Sequence, residues 1–310
     1  MKNKLKVLLA TDYSEAVKTA EHYAVRLAQA AGASLTVVHS YDVPLLPDHP
    51  TPLYEEKLLL SDVYKDEETR MKDHINGILA TNSIAPLQLE FNYKLLRGEF
   101  PECLNEEAKL MNADFLVIGT HGAKGFLGRL FGNHAWQIMK SSDVPVLVIP
   151  KDAIFVGLKK IVFATEYRSG EIPAIKYLAG LAEKFNAELT VLHVTYTFFP
   201  TKEETELARE FHRDILEATG SNKIKLITIK GENVTEGLES YCAEHNSDLL
   251  VLSHEKKDLF DKVLGLDAAA AKKITFHSKL PVLSIPDYYK TKKYSFWDLL
   301  NDVEQDIENI

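Results

Sequence analysis

Cysteine is nearly absent: Cys103 and Cys242 are the only two in 310 residues. Neither belongs to a Cys-x-x-Cys pair or has a histidine at metal-ligand spacing, which excludes a disulfide framework and a zinc finger. No apolar run approaches the roughly 20 residues that span a bilayer. The first run ends at Ala10, before Asp12 and Glu15, so it reads as a strand rather than the core of a signal peptide. A cytoplasmic protein without a membrane partner is the expectation. Basic excess is also missing, with 36 Lys and Arg against 45 Asp and Glu and a formal net charge of -9. Neither half is basic, so no nucleic-acid partner is expected. The chain holds no Walker A motif and no Gly-x-Gly-x-x-Gly. No catalytic triad, carboxylate pair or metal cluster can be assembled from its spacing, and no catalytic residue is assigned.

What remains is an alternation of apolar strands and amphipathic helices. Residues 4–10 form a run that predicts a buried strand. Ser14 then stands before a helix whose Ala16, Ala20, Tyr23, Ala24, Leu27 and Ala31 share one face and which Gly32 ends. A second buried strand follows over 35–39. Continuous apolar strands joined by a helix predict a parallel sheet covered on both faces. A proline-rich loop, a charged helix over 55–80, a strand over 87–95 broken by Gly98, and a helix over 102–111 come next. A strand over 115–118, a helix over 133–140 and a strand over 146–149 complete the first half. Five strands alternating with four helices describe a doubly wound α/β domain.

The order then begins again. Ala10-Thr11-Asp12 matches Ala164-Thr165-Glu166 and His39 matches His193, both at an offset of 154 residues. Gly98-Glu99 matches Gly231-Glu232, and Val144-Pro145-Val146-Leu147 matches Leu280-Pro281-Val282-Leu283. The chain is therefore read as an internal duplication. The predicted fold is two tandem doubly wound five-stranded parallel-sheet domains, 1–151 and 156–287, followed by a C-terminal helical tail over 288–310. In the tail Ser295 and Asp298 can open a helix with Phe296, Leu300, Val303 and Ile307 on one face. The offset shrinks later because 201–220 in the second copy reads as a single capped helix where the first has a longer stretch.

One stretch differs between the copies. After the strand ending at Gly119, the first carries Gly122, Gly125, Gly128 and Gly132 together with Lys124 and Arg129. Such a loop lets backbone approach a ligand closely, and the N–H groups at the start of the helix near Asn133 would face the same space. In the second copy Ser253 and Lys256 replace Gly119 and Gly122, and an alanine run fills Ala268 to Ala271. The second copy kept the strand pattern without the loop, so a ligand explains the first-copy glycines better than the fold does.

At these residues the chain resembles the universal stress protein family in its tandem two-domain form. The nucleotide-binding members carry Gly, two residues, Gly, nine residues, Gly, then Ser or Thr. Here Gly119, Gly122 and Gly132 fit, and Asn133 stands in the last place. The resemblance implies a Rossmann-like fold of the adenine nucleotide alpha hydrolase type. It implies as cofactor ATP or another adenine nucleotide, with Mg2+ admitted alongside. It places Ala10, Thr11 and Asp12 by the ribose, Ser40 near the adenine, and Ile118 and Gly119 against the adenosine. Gly122, Gly132, Asn133, His134 and Ala135 would line the phosphates. The terminal strands of the two halves would pair as an intramolecular pseudo-dimer, with a homodimer of chains also open.

Other readings stand beside these. Asp12 also suits a simple helix cap. His121 and His134 lie where an imidazole could meet phosphate, whereas His39 and His193, repeated at strand ends, read as structural. Three functions compete: a nucleotide-binding regulatory or stress-response protein, a slow ATP hydrolase, and a ligand-independent interaction module.

Overall fold

The computed structural model describes residues 4–42, 53–82, 89–120, 133–197, 201–254 and 280–287. Contacts divide the chain into two compact units, Met1–Phe155 and Val156–Ile310. The first contains strand β1 (Lys6–Ala10), helix α1 (Lys18–Ala31), β2 (Ser34–Tyr41), α2 (Leu53–Thr81), β3 (Glu90–Arg97), α3 (Phe100–Leu110), β4 (Phe115–Gly119), α4 (Asn133–Ser141) and β5 (Val146–Ile149). Its strands lie in the order β3-β2-β1-β4-β5, and every pair is parallel.

Burial along the strands follows from this order. β1 and β4 sit inside the sheet under helices on both faces, and Val7 to Ala10 and Phe115 to Ile118 are all buried. β3 lies at the edge and alternates exposed with half-buried positions, as its mixed sequence Glu-Phe-Asn-Tyr-Lys requires. Leu8, Leu9, Leu35, Leu116 and Ile149 form the centre of the core, with Leu27 of α1 and Ile138 and Met139 of α4 packed over it. Each fully buried Leu or Ile contributes roughly 1.5–3 kcal/mol.

The second unit repeats the plan with β6 (Lys160–Ala164), α5 (Ile172–Phe185), β7 (Glu188–Thr195), α6 (Lys202–Thr219), β8 (Lys225–Lys230), α7 (Val234–Glu244), β9 (Leu249–His254) and β10 (Val282–Pro286). Its parallel order is β8-β7-β6-β9-β10. α6 fulfils the sequence expectation closely. The Thr201 side chain accepts from Glu204 N–H, the Glu204 carboxylate accepts from Thr201 N–H, and Gly220 ends the helix in the left-handed conformation.

The same side chain fastens the start of the central strand in both units. The Lys6 N–H donates to Asp114 Oδ2 at 2.9 Å, and Lys160 N–H donates to Asp248 Oδ2 at 2.9 Å.

Two local expectations change. Ser14 does not cap α1 through its side chain: a 3-10 turn, Glu15–Val17, intervenes, and the Ser14 hydroxyl is buried with no hydrogen-bond partner among the described residues. The third strand starts at Glu90 and runs on to Arg97, because Gly98, at φ 126°, ends it in a conformation that suits glycine. The helical tail over 288–310 and the loop with Gly122, Gly125, Gly128 and Gly132 lie outside the described residues. No helix among the described residues is long and apolar enough to cross a membrane.

Candidate functional site

In an open parallel sheet, a crevice forms at the carboxyl ends of the strands where the winding direction switches. In the first unit that point lies between β1 and β4. Leu9 pairs with Val117, which sets Ala10 beside Ile118 and brings the ends of both strands together.

A polar frame fixes how the chain leaves β1. The buried Thr11 continues the ladder for one residue, donating its N–H to Val38 O at 2.9 Å. Its hydroxyl donates to Glu21 Oε1 of α1 at 2.8 Å and accepts from Tyr13 N–H at 3.1 Å. His74 Nε2 of α2 meets the same Glu21 oxygen at 2.6 Å, and His39 Nδ1 donates to Thr11 O at 2.8 Å. Tyr13 occupies the left-handed region at φ 62°, uncommon for a side chain of its size, and lays its ring 4.1 Å from that of His39. The chain therefore turns sharply, and Asp12 emerges exposed, with Oδ1 accepting from Ser14 N–H at 3.0 Å. Burial holds the His39 imidazole below its usual pKa against the pull of Thr11 O and Glu67, so it stays neutral. Burial, helped by Glu67, also raises the Tyr13 phenol far above its ordinary value.

Of the residues singled out in sequence, Ala10, Thr11, Asp12, Ile118 and Gly119 meet at this switch point. Ser40 stands half-buried near the end of β2, two residues beyond Val38, the partner of Ala10. Asn133 and His134 open α4, and Ala135 is buried in its first turn. Because α4 joins the parallel strands β4 and β5, its N-terminus lies at the carboxyl side of the sheet. Gly122 and Gly132 lie outside the described residues. A Cβ added at Gly119 would meet Ala20 Cβ at 3.5 Å and Val17 Cα at 3.6 Å, ordinary contact distances, so packing does not demand glycine there.

The second unit keeps the frame and sets a charged cluster at the ends of β6 and β9. Thr165 N–H donates to Leu192 O at 3.0 Å, His193 Nδ1 to Thr165 O at 2.9 Å, and Tyr167 sits at φ 61° with its ring 4.3 Å from His193. Arg168 stands where the first unit has Ser14. Its guanidinium lies 3.1 Å from Glu171, 3.1 Å from Asp287 and 3.7 Å from Glu166, and it donates to Ser253 Oγ, the counterpart of Gly119, at 3.4 Å. Although burial pulls its pKa down, the carboxylates of Glu171, Asp287 and Glu166 hold Arg168 above its ordinary value. Burial raises Glu166 to about 7, with Arg168 opposing and Glu171 adding to the shift. Val194, the counterpart of Ser40, is 6% exposed and packs on Gly231 and Gly237.

Sequence reasoning passed over Tyr13, Glu21, His74 and Arg168. The recurrence of Tyr at the same place in both copies was an available signal for the first. Arg168 gave no signal, since its partners are scattered over 166–287.

Among known proteins, the fold and the paired switch points belong to one class. The model of the universal stress protein family matches residues 5–150 and again 157–286, and the chain belongs to this family. Among curated relatives, "Universal stress protein in QAH/OAS sulfhydrylase 3'region" of Thermus aquaticus is 30% identical over 145 residues, covering 46% of this chain and 96% of the relative. "Stress response protein NhaX" of Bacillus subtilis is 27% identical over 160 residues, covering 46% and 96%. Each relative thus spans the length of one unit. A crystal structure of a universal stress protein from Archaeoglobus fulgidus superimposes with a TM-score of 0.67 at 15% identity, covering 91% of this chain and 98% of that one, which shows the shared fold.

Proposed function

We propose that the first unit binds an adenine nucleotide and that the protein acts as a nucleotide-responsive regulatory or stress-response protein, with no such site in the second unit. The observation that carries the reading is the contrast at the switch point. In the first unit the exposed Asp12 carboxylate stands at the ends of β1 and β4 beside Ser14 and Gly119. In the second, Arg168 and its carboxylates fill the same place. An exposed carboxylate suits a ribose diol, since it accepts two hydroxyl hydrogen bonds. The α4 N-terminus suits phosphate, because its first N–H groups point along the helix toward the carboxyl side of the sheet. The glycine spacing shared with nucleotide-binding members of the family adds the loop between them. Ala10, Thr11, Ser40, Ile118, Gly122, Gly132, Asn133, His134 and Ala135 complete the proposed lining. Mg2+ would arrive on the phosphates, as it does when one or two protein groups suffice to hold it.

The test is to purify the full chain without added nucleotide, extract it with acid and identify any retained adenine nucleotide by mass spectrometry. Stripped protein is then titrated by calorimetry with ATP, ADP and AMP. Binding that is lost in Asp12→Ala is the expected result. No heat with any of the three at about 1 mM would overturn the proposal.

A further inference from the structure

The second unit contains a cleft on the α6 face of its sheet. It has a volume of about 430 Å³ and lies between α6 and strands β7 and β8. His193 and Thr195 of β7 line it. Val194, between them in sequence, turns to the other face, as strand alternation requires, so the cleft is not a remnant of the nucleotide crevice.

The internal duplication explains why the space is there. Burial repeats along the two helices: the buried Met71 and Ile75 of α2 match the buried Phe211 and Ile215 of α6, so these helix positions correspond. One turn earlier, Glu68 corresponds to Ala208. On the edge strands, Tyr93 opposes Val37 and Leu226 opposes Val191, which makes Leu226 the counterpart of Tyr93. In the first unit Tyr93 Oη donates to Glu68 Oε1 at 3.0 Å and closes the gap between helix and strand. Ala208 and Leu226 replace that pair in the second unit. Two larger side chains thus become smaller at once around one space.

The chemistry of the walls selects an occupant. Ala208, Ile224 and Leu226 give an apolar body, and the Tyr167 and His193 rings, stacked at 4.3 Å, give a flat one. Glu204 is already engaged, accepting from Thr201 N–H at 2.8 Å and from the Thr195 hydroxyl at 3.4 Å. Arg209 and His212 are exposed at the mouth, and neither forms an ion pair among the described residues. The rim thus offers the Arg209 guanidinium as a charged donor. The α6 N-terminus is closed by its own capping box, which leaves no array of N–H groups for a polyphosphate.

We propose that this cleft is a second ligand site, selective for a small aromatic carboxylate: the ring lies against Leu226, Ala208 and the Tyr167–His193 pair, and the carboxylate faces Arg209. Its size falls in the range of metabolite pockets. The site is independent of the nucleotide proposed for the first unit.

Naphthoate and its neutral amide are suitable probes. In methyl-labelled full-length protein, naphthoate shifts the Ile224 and Leu226 resonances saturably, with half-saturation below about 1 mM, and excess ATP leaves the shifts in place. Ala208→Met and Leu226→Tyr, which add bulk to two walls of the cleft, each abolish the shifts, and either one that keeps a native spectrum is decisive. Arg209→Gln weakens binding about tenfold, and the amide binds about tenfold more weakly than the acid. The proposal is overturned by the absence of saturable shifts at about 10 mM, by displacement with ATP, by binding that persists in a refilled variant, or by equal binding of amide and acid.

Discussion

The two units share a frame and differ in what the frame presents. Thr11 and Thr165 bond to the same neighbours, the two histidines donate to the same carbonyls, and a tyrosine takes the left-handed turn in both. Even the carboxylate that receives the Thr hydroxyl recurs, though it comes from a different place. It is Glu21 in the first unit and Glu171 in the second, and Glu171 corresponds to Val17, one helical turn earlier. The fold therefore requires a buried acceptor for that hydroxyl but not a particular residue to supply it. By contrast, three groups that face the crevice diverge: Ser14 against Arg168, Gly119 against Ser253, Ser40 against Val194. The comparison separates residues that hold the sheet from residues available to a ligand without any appeal to relatives.

The largest effect should come from removing the plug of the second unit. Glu171 and Asp287 are each 1% exposed, and Arg168→Met leaves both buried without their cation. A loss of about 3–5 kcal/mol is expected in urea denaturation, whereas Ser14→Ala in the first unit should cost under about 0.5 kcal/mol. Equal effects would break the comparison at its centre. Ser14→Arg transplants the plug into the first unit, where Asp12 can pair with it. Calorimetry should then show ATP affinity reduced about 100-fold, and unchanged affinity would mean that Arg168 is not what closes the second crevice.

A pH series offers a smaller but sharper contrast. Glu166 is raised by burial from 4.5 to about 7, so between those values the folded protein binds a proton that the unfolded chain releases. Its contribution is complete below about pH 4.5 and disappears as pH rises through about 7. The stability of the second unit should fall by about 1–2 kcal/mol over that window, partial exposure screening the rest, and Glu166→Gln should flatten the profile. A stability that rose with pH over the same window would count against this placement of Glu166. The smallest effect is expected at Gly119. A Cβ there meets nothing closer than 3.5 Å, so Gly119→Ser, which copies the second unit, should change stability by less than about 0.5 kcal/mol. A larger loss would return this glycine to the fold.

Much of this architecture was legible in the sequence because its signals are local. Buried parallel strands read as unbroken apolar runs, and the Thr201, Glu204 and Gly220 signals of α6 lie within one segment. At the switch point, Ala10 to Asp12 and Ile118 to Gly119 could be recognised because they close strands that the repeat aligns. Arg168 could not, since its role depends on Glu171, Ser253 and Asp287, which only the folded sheet brings together. The 3-10 turn after Ser14 escaped for a related reason. The left-handed Tyr13 that redirects the chain is stabilised by His39 and Thr11 rather than by its own neighbours in sequence.

The aspartate fastenings have a consequence for the order of events during synthesis. Lys6 waits for Asp114, 108 residues later, and Lys160 waits for Asp248, 88 residues later. In each unit the middle strand emerges first, yet one of its flanks is supplied only after most of the unit has been translated. At about 5–20 residues per second, that flank of β1 stays bare for several seconds. Contacts this distant in sequence also slow closure itself. Nascent chains truncated before β4 should therefore remain open to proteases, and those extended through β5 should become resistant.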